Sequence, residues 1–468
     1  MKRFLPLLAL LVLVLLAAYS AARFYTGQTL SQAVDNLAQE LAAEPEIEVL
    51  TLAYQPGIFH GELEYDLRVR APAGHPLLDT ARILGAGNLP RWLNLRGTAA
   101  VSQGPHPSAD GLILAWARQS WPGLELQAGL RPDGMILGTL TGAAYQGDIT
   151  GPDELPLQVD LSPWEGSLRW QPDTQRLDLA LTLQHLLVDQ AGFQGEVREA
   201  VADLELTVMT GDQWQSRTQF QADRLELASD VSGTRLDGVQ LLALAERAGD
   251  RIENRLEVDI GPSLVEDIDW QSLELRLALS GLDAEAYMTL LEELAIATEA
   301  RQFGPQRQQN LIRALEQLVA AGPTVNLERL ALRLFEDSAS DDLAAALRLQ
   351  HDGGDRIDLY APARLLEQSQ VRLHLLATRG ALLRISQWRA EADARRLAIE
   401  RDILRTEEQI QRAASSYYRN TLLTLQFMPL VTMADGKAET HLELRDGAVY
   451  RNDERLMPVA EVVRMLGL

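Results

Sequence analysis

The sequence contains no cysteine. Disulfide staples, thiol nucleophiles and cysteine-ligated metal centres are therefore excluded together. Lysine is nearly missing as well. Of the 43 basic residues, Lys2 and Lys437 are the two lysines and the rest are arginines. Acidic residues number 66, for a formal net charge of −23. That balance repels nucleic acid and anionic membrane surfaces. An acidic, lysine-poor body suits a high-salt exterior, where salt screens self-repulsion; a GC-rich genome favouring arginine codons gives the same bias. The chain also lacks a GxxxxGK[ST] phosphate loop, a GxSxG elbow and an HExxH helix. Gly85-Ala86-Gly87 has neither the third glycine nor the preceding strand of a dinucleotide site.

Long hydrophobic runs are scarce, with one exception. Leu5 to Ala22 carries no charge over 18 residues and follows Met1-Lys2-Arg3. A helix of that length is about 27 Å long, close to the hydrocarbon thickness of a bilayer. Ala18-Tyr19-Ser20 offers small residues for signal cleavage. The length of the run and the Arg23-Phe24-Tyr25 interfacial flank favour a retained anchor. Basic residues precede the span and Asp35, Glu40 and Glu44 follow it, so the positive-inside rule places the N-terminus in the cytoplasm and exports the body.

After a short amphipathic helix over 29–43, alternation dominates. Leu63, Tyr65, Leu67 and Val69 interleave with Glu62, Glu64, Asp66 and Arg68 behind a Pro56-Gly57 turn, which predicts a half-buried antiparallel hairpin. Residues 72–107 are punctuated by glycine and proline and read as loop. Alternating strands then recur to Leu279 without regular helices between them, which argues against a doubly wound nucleotide-binding sheet. At Asp283 the pattern changes. Asp283 caps a helix to about Ala300, and Pro305 opens a second that ends at Gly322-Pro323. Strands resume over 325–334, 343–349, 357–360 and 371–376. One long helix is predicted from about Ala381 to Leu425, bent near Ala413-Ala414-Ser415-Ser416, with Leu397, Ile403, Ile410 and Tyr417 packed on a sheet. Asp446-Gly447 marks a closing hairpin.

The expected fold is α+β: a transmembrane helix, then extended antiparallel sheets with a helical pair and the long C-terminal helix. The expected divisions are an anchor over 1–23, a mainly β region over 24–282 and an α+β region over 283–468.

The anchor followed by Tyr54-Gln55-Pro56-Gly57-Ile58-Phe59, Gly104-Pro105, Trp164-Glu165-Gly166, Leu282-Asp283-Ala284 and the closing Asp446-Gly447, Asn452 and Met457-Pro458 occur in one order along nearly the whole chain. This series resembles the YdgA-like proteins of the Gram-negative envelope, a family of unknown function. Gln103 stands where that family has histidine, and Asp453 where it has glycine. The resemblance implies an inner-membrane protein whose body faces the periplasm, and implies no activity.

No residue stands out as catalytic, cofactor-binding or metal-binding. The seven histidines are His60, His75, His106, His185, His351, His374 and His441, and no two share a helical or strand ligand spacing. Asp341-Asp342 and Glu407-Glu408 read as solvated faces. The arginines of the predicted long helix, among them Arg384, Arg389, Arg396 and Arg412, read as partners for carboxylates; the sharper alternative is a face for an anionic partner. The sequence thus leads to a non-enzymatic envelope protein, with the inner membrane as partner through Leu5 to Ala22 and an apolar ligand such as lipid sheltered by its sheets. A protein-interaction scaffold, or a hydrolase with an unrecognised site, are the competing readings.

Overall fold

The computed structural model describes residues 30–32, 34–36, 38–39, 42, 47–57, 60–70 and 92–466, with breaks at 109–110, 122, 151–155, 172, 191, 210–212, 230–232, 266–267, 301–304, 337–340, 355–356, 358, 360, 402, 428–429, 435–436 and 452. The apolar run from 5 to 22 and the side chains of Leu67 and Val69 lie outside the described residues. Of the described residues, strands account for 61% and helices for 25%. The expected α+β description is therefore corrected to a mainly antiparallel β protein. Among the described residues, no helix is long and apolar enough to cross a membrane.

The chain divides into two compact units, residues 1–186, 201–210 and 291–307 against 187–200, 211–290 and 308–468. In the first, β1 (Ile47–Gln55) and β2 (His60–Arg70) form the expected hairpin, with Tyr54 opposite Leu63. Then β3 (Trp92–Ser108), β4 (Gly111–Trp121), β5 (Leu124–Leu130) and β6 (Ile136–Gly142) each pair antiparallel with the strand before. A side hairpin of β7 (Tyr145–Thr150) and β8 (Pro156–Leu161) follows. β9 (Trp164–Gln171) returns against β6, and β10 (Arg176–Gln190) pairs with β9 through 176–183. Tyr54, Val101 and Ala115 form a core on which Leu30, Val34 and Leu63 pack.

The stretch read as loop up to residue 107 is a strand from Trp92 onward. Gly97 lies opposite Tyr65 in register, Gly129 opposite Trp116, and Gly142 opposite Trp164. A Cβ at any of the three would run into the facing ring. The missing side chains are the space the aromatic rings occupy, so these glycines mark close packing rather than turns.

Strand β11 (Phe193–Val208) has residues in both units. In the second unit, β12 (Trp214–Ser229), β13 (Gly233–Ala248) and β14 (Arg251–Ile260) form a meander. The short β15 (Ser263–Val265) pairs with β13, and β16 (Ile268–Trp270) pairs with β15. β17 (Ser272–Asp283) pairs with β14 and leads to α1 (Ala284–Ala300) and α2 (Pro305–Ala320), the expected helical pair. Asp283 Oδ1 accepts from the Ala286 N–H at 2.8 Å, as an N-cap should. Ile252, Leu282, Ala286 and Leu318 form the core beneath.

From there β18 (Thr324–Arg333), β19 (Leu343–His351), β20 (Ser369–Thr378) and β22 (Lys437–Arg445) pair in that order. Between β19 and β20 stands α3 (Pro362–Glu367); Ile357 and Leu359 are not in the strand expected over 357–360. β21 (Thr432–Ala434) edges β22, and β23 (Ala448–Arg451) and β24 (Glu454–Pro458) follow. Asp446 (φ 50°) and Gly447 (φ 66°) make the two-residue turn between β22 and β23 with positive φ at both positions, the primed geometry that matches strand twist. The last helix, α6 (Val459–Leu466), places the fully buried Val459 against Leu444.

The predicted long helix is two: α4 (Arg379–Arg401) and α5 (Glu407–Phe427). The break falls at 403–406 and not at 413–416, where Ala414 is buried inside α5. The reason is a capping box. Gln409 Oε1 accepts from the Thr406 N–H at 3.0 Å and Thr406 Oγ1 accepts from the Gln409 N–H at 3.4 Å. The stripe expected on a sheet instead joins the two helices at one end and is solvent-facing at the other. Tyr417 donates to Asp393 at 2.5 Å and lies under the Arg389 guanidinium, while Ile403 and Leu404 are exposed. The hydrogen bond to the Asp393 carboxylate, and then burial, push the Tyr417 phenol above its ordinary value. Of the helix arginines, Arg384 pairs with Asp269, Arg396 with Asp393 and Arg412 with Glu408, in keeping with the carboxylate-partner reading.

Asp342, read as a solvated face, is 4% exposed. Its carboxylate accepts from the Leu334 N–H at 2.8 Å and the Thr378 hydroxyl at 3.1 Å, and Thr378 Oγ1 in turn accepts from the Ala381 N–H at the start of α4. One carboxylate thereby ties the end of β18 to the β20–α4 corner. Asp341 makes a more exposed ion pair with Arg329. We predict that Asp342→Ala lowers stability by about 3 kcal/mol, because two donors lose a charged acceptor in a buried site. Asp341→Ala should cost about 1 kcal/mol or less. Urea denaturation of both variants checks this; equal losses would contradict it.

Candidate functional site

The four strands β18, β19, β20 and β22 present two different faces. Because side chains alternate, the register sorts them into rows. On one face, Asn326, Arg348, Arg372 and Glu443 stand in line across the strands. The next row on that face is Ala346, His374 and His441; the one after is Ala344, Leu376 and Glu439. On the opposite face the rows are Leu347, Leu373 and Leu442, then Ala345, Leu375 and Thr440.

The polar face carries an open groove of about 530 Å³ lined by Arg348, Arg372, His374, His441, Glu443 and Arg445 among others. Arg372 pairs with Glu443 at 3.0 Å, and Arg445 pairs with both Glu443 and Asp453 at 3.1 Å while covering the Tyr450 ring. Arg348 stands directly opposite Arg372. Like charges at such a position repel each other, and among the described residues Arg348 has no carboxylate partner. His374 Nε2 lies 3.1 Å from Glu439 Oε1, and His441 Nε2 lies 3.6 Å from the same oxygen. The two imidazoles meet edge to face with centroids 4.1 Å apart.

The other face carries an apolar groove of about 460 Å³. Its floor is Leu273, Leu330, Leu332, Leu343 and Leu375 from the sheet; Leu382 of α4 and Thr421 and Leu425 of α5 also line it. Leu330 and Leu375 remain 37% and 42% exposed, so the floor is not sealed by the protein itself. A cavity of this size and lining falls in the range of about 300–1,000 Å³ typical of sites for small apolar ligands.

This chain belongs to a bacterial family of unknown function, DUF945. The family model matches residues 1–459. No curated protein matches the chain, and no solved structure does. Membership in DUF945 bears out the expectation of an uncharacterised family running along nearly the whole sequence, and it brings no activity with it.

The histidines expected to stand apart divide. His60 is exposed at the start of β2, His106 lies in β3 and His185 in β10, while His75 is outside the described residues. His351 is buried at the end of β19, where its Nδ1 accepts from the Gly353 N–H at 2.9 Å. His374 and His441, 67 positions apart, are brought into edge-to-face contact by the β20–β22 register. No local spacing signals that meeting. The one sequence cue was the alternation of Glu439, His441 and Glu443 with Thr440, Leu442 and Leu444 ahead of the Asp446-Gly447 turn.

Proposed function

We propose that this protein is a non-enzymatic component of the cell envelope, held at the inner membrane through Leu5 to Ala22 with its body on the periplasmic side. In this reading it shelters an apolar ligand, a lipid acyl chain, in the groove between the sheet and α5. The observation that carries the reading is the composition of that groove. Leucine and alanine line it, Thr421 and Thr440 are its polar side chains, and two leucines of its floor stay open to solvent. Exposed apolar surface in a concave site is unfavourable in water and is relieved by an apolar guest, at roughly 25 cal/mol per Å² covered. A flexible hydrocarbon chain suits a leucine-lined groove without paired polar anchors. The membrane expectation rests on the uncharged 18-residue run behind Lys2-Arg3 and on the acidic body that follows it.

Native mass spectrometry of the detergent-purified chain should show a co-purified species of lipid mass. Ala345→Phe, which fills the groove, should remove that species while the circular dichroism stays unchanged. A bare wild-type protein, or retention of the same lipid in the variant, would sink the lipid reading and favour a scaffold that binds other envelope proteins.

Topology is tested separately. Protease added to spheroplasts should digest the body; protection until the inner membrane is lysed would reverse the orientation.

A further inference from the structure

We propose that His374, Glu439 and His441 form a binding site for a divalent first-row cation of the zinc class. The site lies on the polar face of the sheet and is independent of the apolar groove. One ligand atom from each residue can be chosen so that all three lie within 4.8 Å of one another. Metal–ligand bonds of about 2.0–2.2 Å place the donor atoms of a tetrahedral site roughly 3.3–3.6 Å apart. The two distances from Glu439 Oε1, 3.1 Å to His374 Nε2 and 3.6 Å to His441 Nε2, bracket that spacing.

Two imidazoles and one carboxylate, with no cysteine anywhere in the chain, suit zinc and its neighbours rather than magnesium or calcium, which prefer all-oxygen shells. The backbone supports the arrangement. His374 and His441 are direct cross-strand partners, and Glu439 lies two residues before His441 on the same face, so three ligands come from two adjacent hydrogen-bonded strands. Such strands hold donor atoms more firmly than loops do.

Three protein ligands leave a tetrahedral cation one open position. His374 and His441 line the groove that Arg348 and Arg372 also line. The open position is thereby reached from solvent beside two arginines, and an anionic oxygen fits there as the fourth ligand. Arg372 is paired with Glu443, but Arg348 opposite it has no carboxylate partner among the described residues, which agrees with such an arrangement. In the competing account Glu439 merely accepts a hydrogen bond from His374, and no cation is involved.

Isothermal titration of zinc chloride into the untagged, full-length, EDTA-stripped chain in detergent at pH 7.5 decides between them. One saturable equivalent is expected. His374→Ala and His441→Ala should each weaken binding at least tenfold, and His60→Ala should leave it unchanged. Zinc should also raise the melting temperature of the wild type and not of the double variant His374→Ala/His441→Ala. If an alanine variant fails to fold, Glu439→Gln, which keeps the shape and removes the charge, should show the same weakening. The absence of saturable binding, or equal binding by wild type and double variant, would overturn the proposal.

Discussion

The antiparallel register between β20 and β22 is the constraint on which the two-faced sheet depends. It pairs Arg372 with Glu443, His374 with His441 and Leu375 with Thr440. A slip of one residue would carry every side chain of one strand to the other face, setting imidazoles among leucines. The Asp446-Gly447 turn, with positive φ at both positions, sets the neighbouring β22–β23 pairing. Asp342 accepts the Thr378 hydroxyl and so anchors the last residue of β20 to the end of β18. Beneath the apolar side, Val459 of α6 and Leu366 of α3 pack with Leu444 and Val371, which are themselves register partners.

Charge reinforces the sheets rather than building a separate surface. Several acidic residues that could be read as free surface take part in cross-strand or neighbouring pairs with arginine. Arg276 reaches Asp259, Glu257 and Glu274, and Arg329 joins Glu274 to Asp341. The hydrogen bond to the Asp259 carboxylate holds the Arg276 guanidinium above its ordinary value despite partial burial. Arginine suits these positions better than lysine because its planar fork can bridge several carboxylates at once. A chain with two lysines and no disulfide thus gains cross-strand links, each individually weak in water, that follow the register of the strands.

Much of this was legible in the sequence where the signal is local. Alternation marked β2, β10, β17 and β22; Asp283 marked the start of α1; Pro305 and Gly322-Pro323 bounded α2. What escaped the sequence depends on partners distant in the chain. Gly97 looks like punctuation until Tyr65 covers it. Asp342 looks solvated until the Leu334 amide and Thr378 hydroxyl turn to it. The break between α4 and α5 was local and was overlooked: Thr406-Glu407-Glu408-Gln409 is a capping box, and it outweighs the small residues at 413–416. The pairing of His374 with His441 is legible only once β20 and β22 are known to be neighbours.

Because the chain has no cysteine, the register can be tested by introducing pairs of them. Arg372→Cys with Glu443→Cys places two thiols at directly opposed, solvent-accessible positions, where cross-strand Cβ atoms lie about 4.5–5.5 Å apart and small adjustments allow a disulfide. This pair should oxidise readily to a single intramolecular bridge. The slipped pair Arg372→Cys with Leu442→Cys, whose side chains leave opposite faces, should stay reduced under the same conditions. Rapid bridging of the slipped pair, or none in the opposed pair, would contradict the register and with it both faces of the sheet.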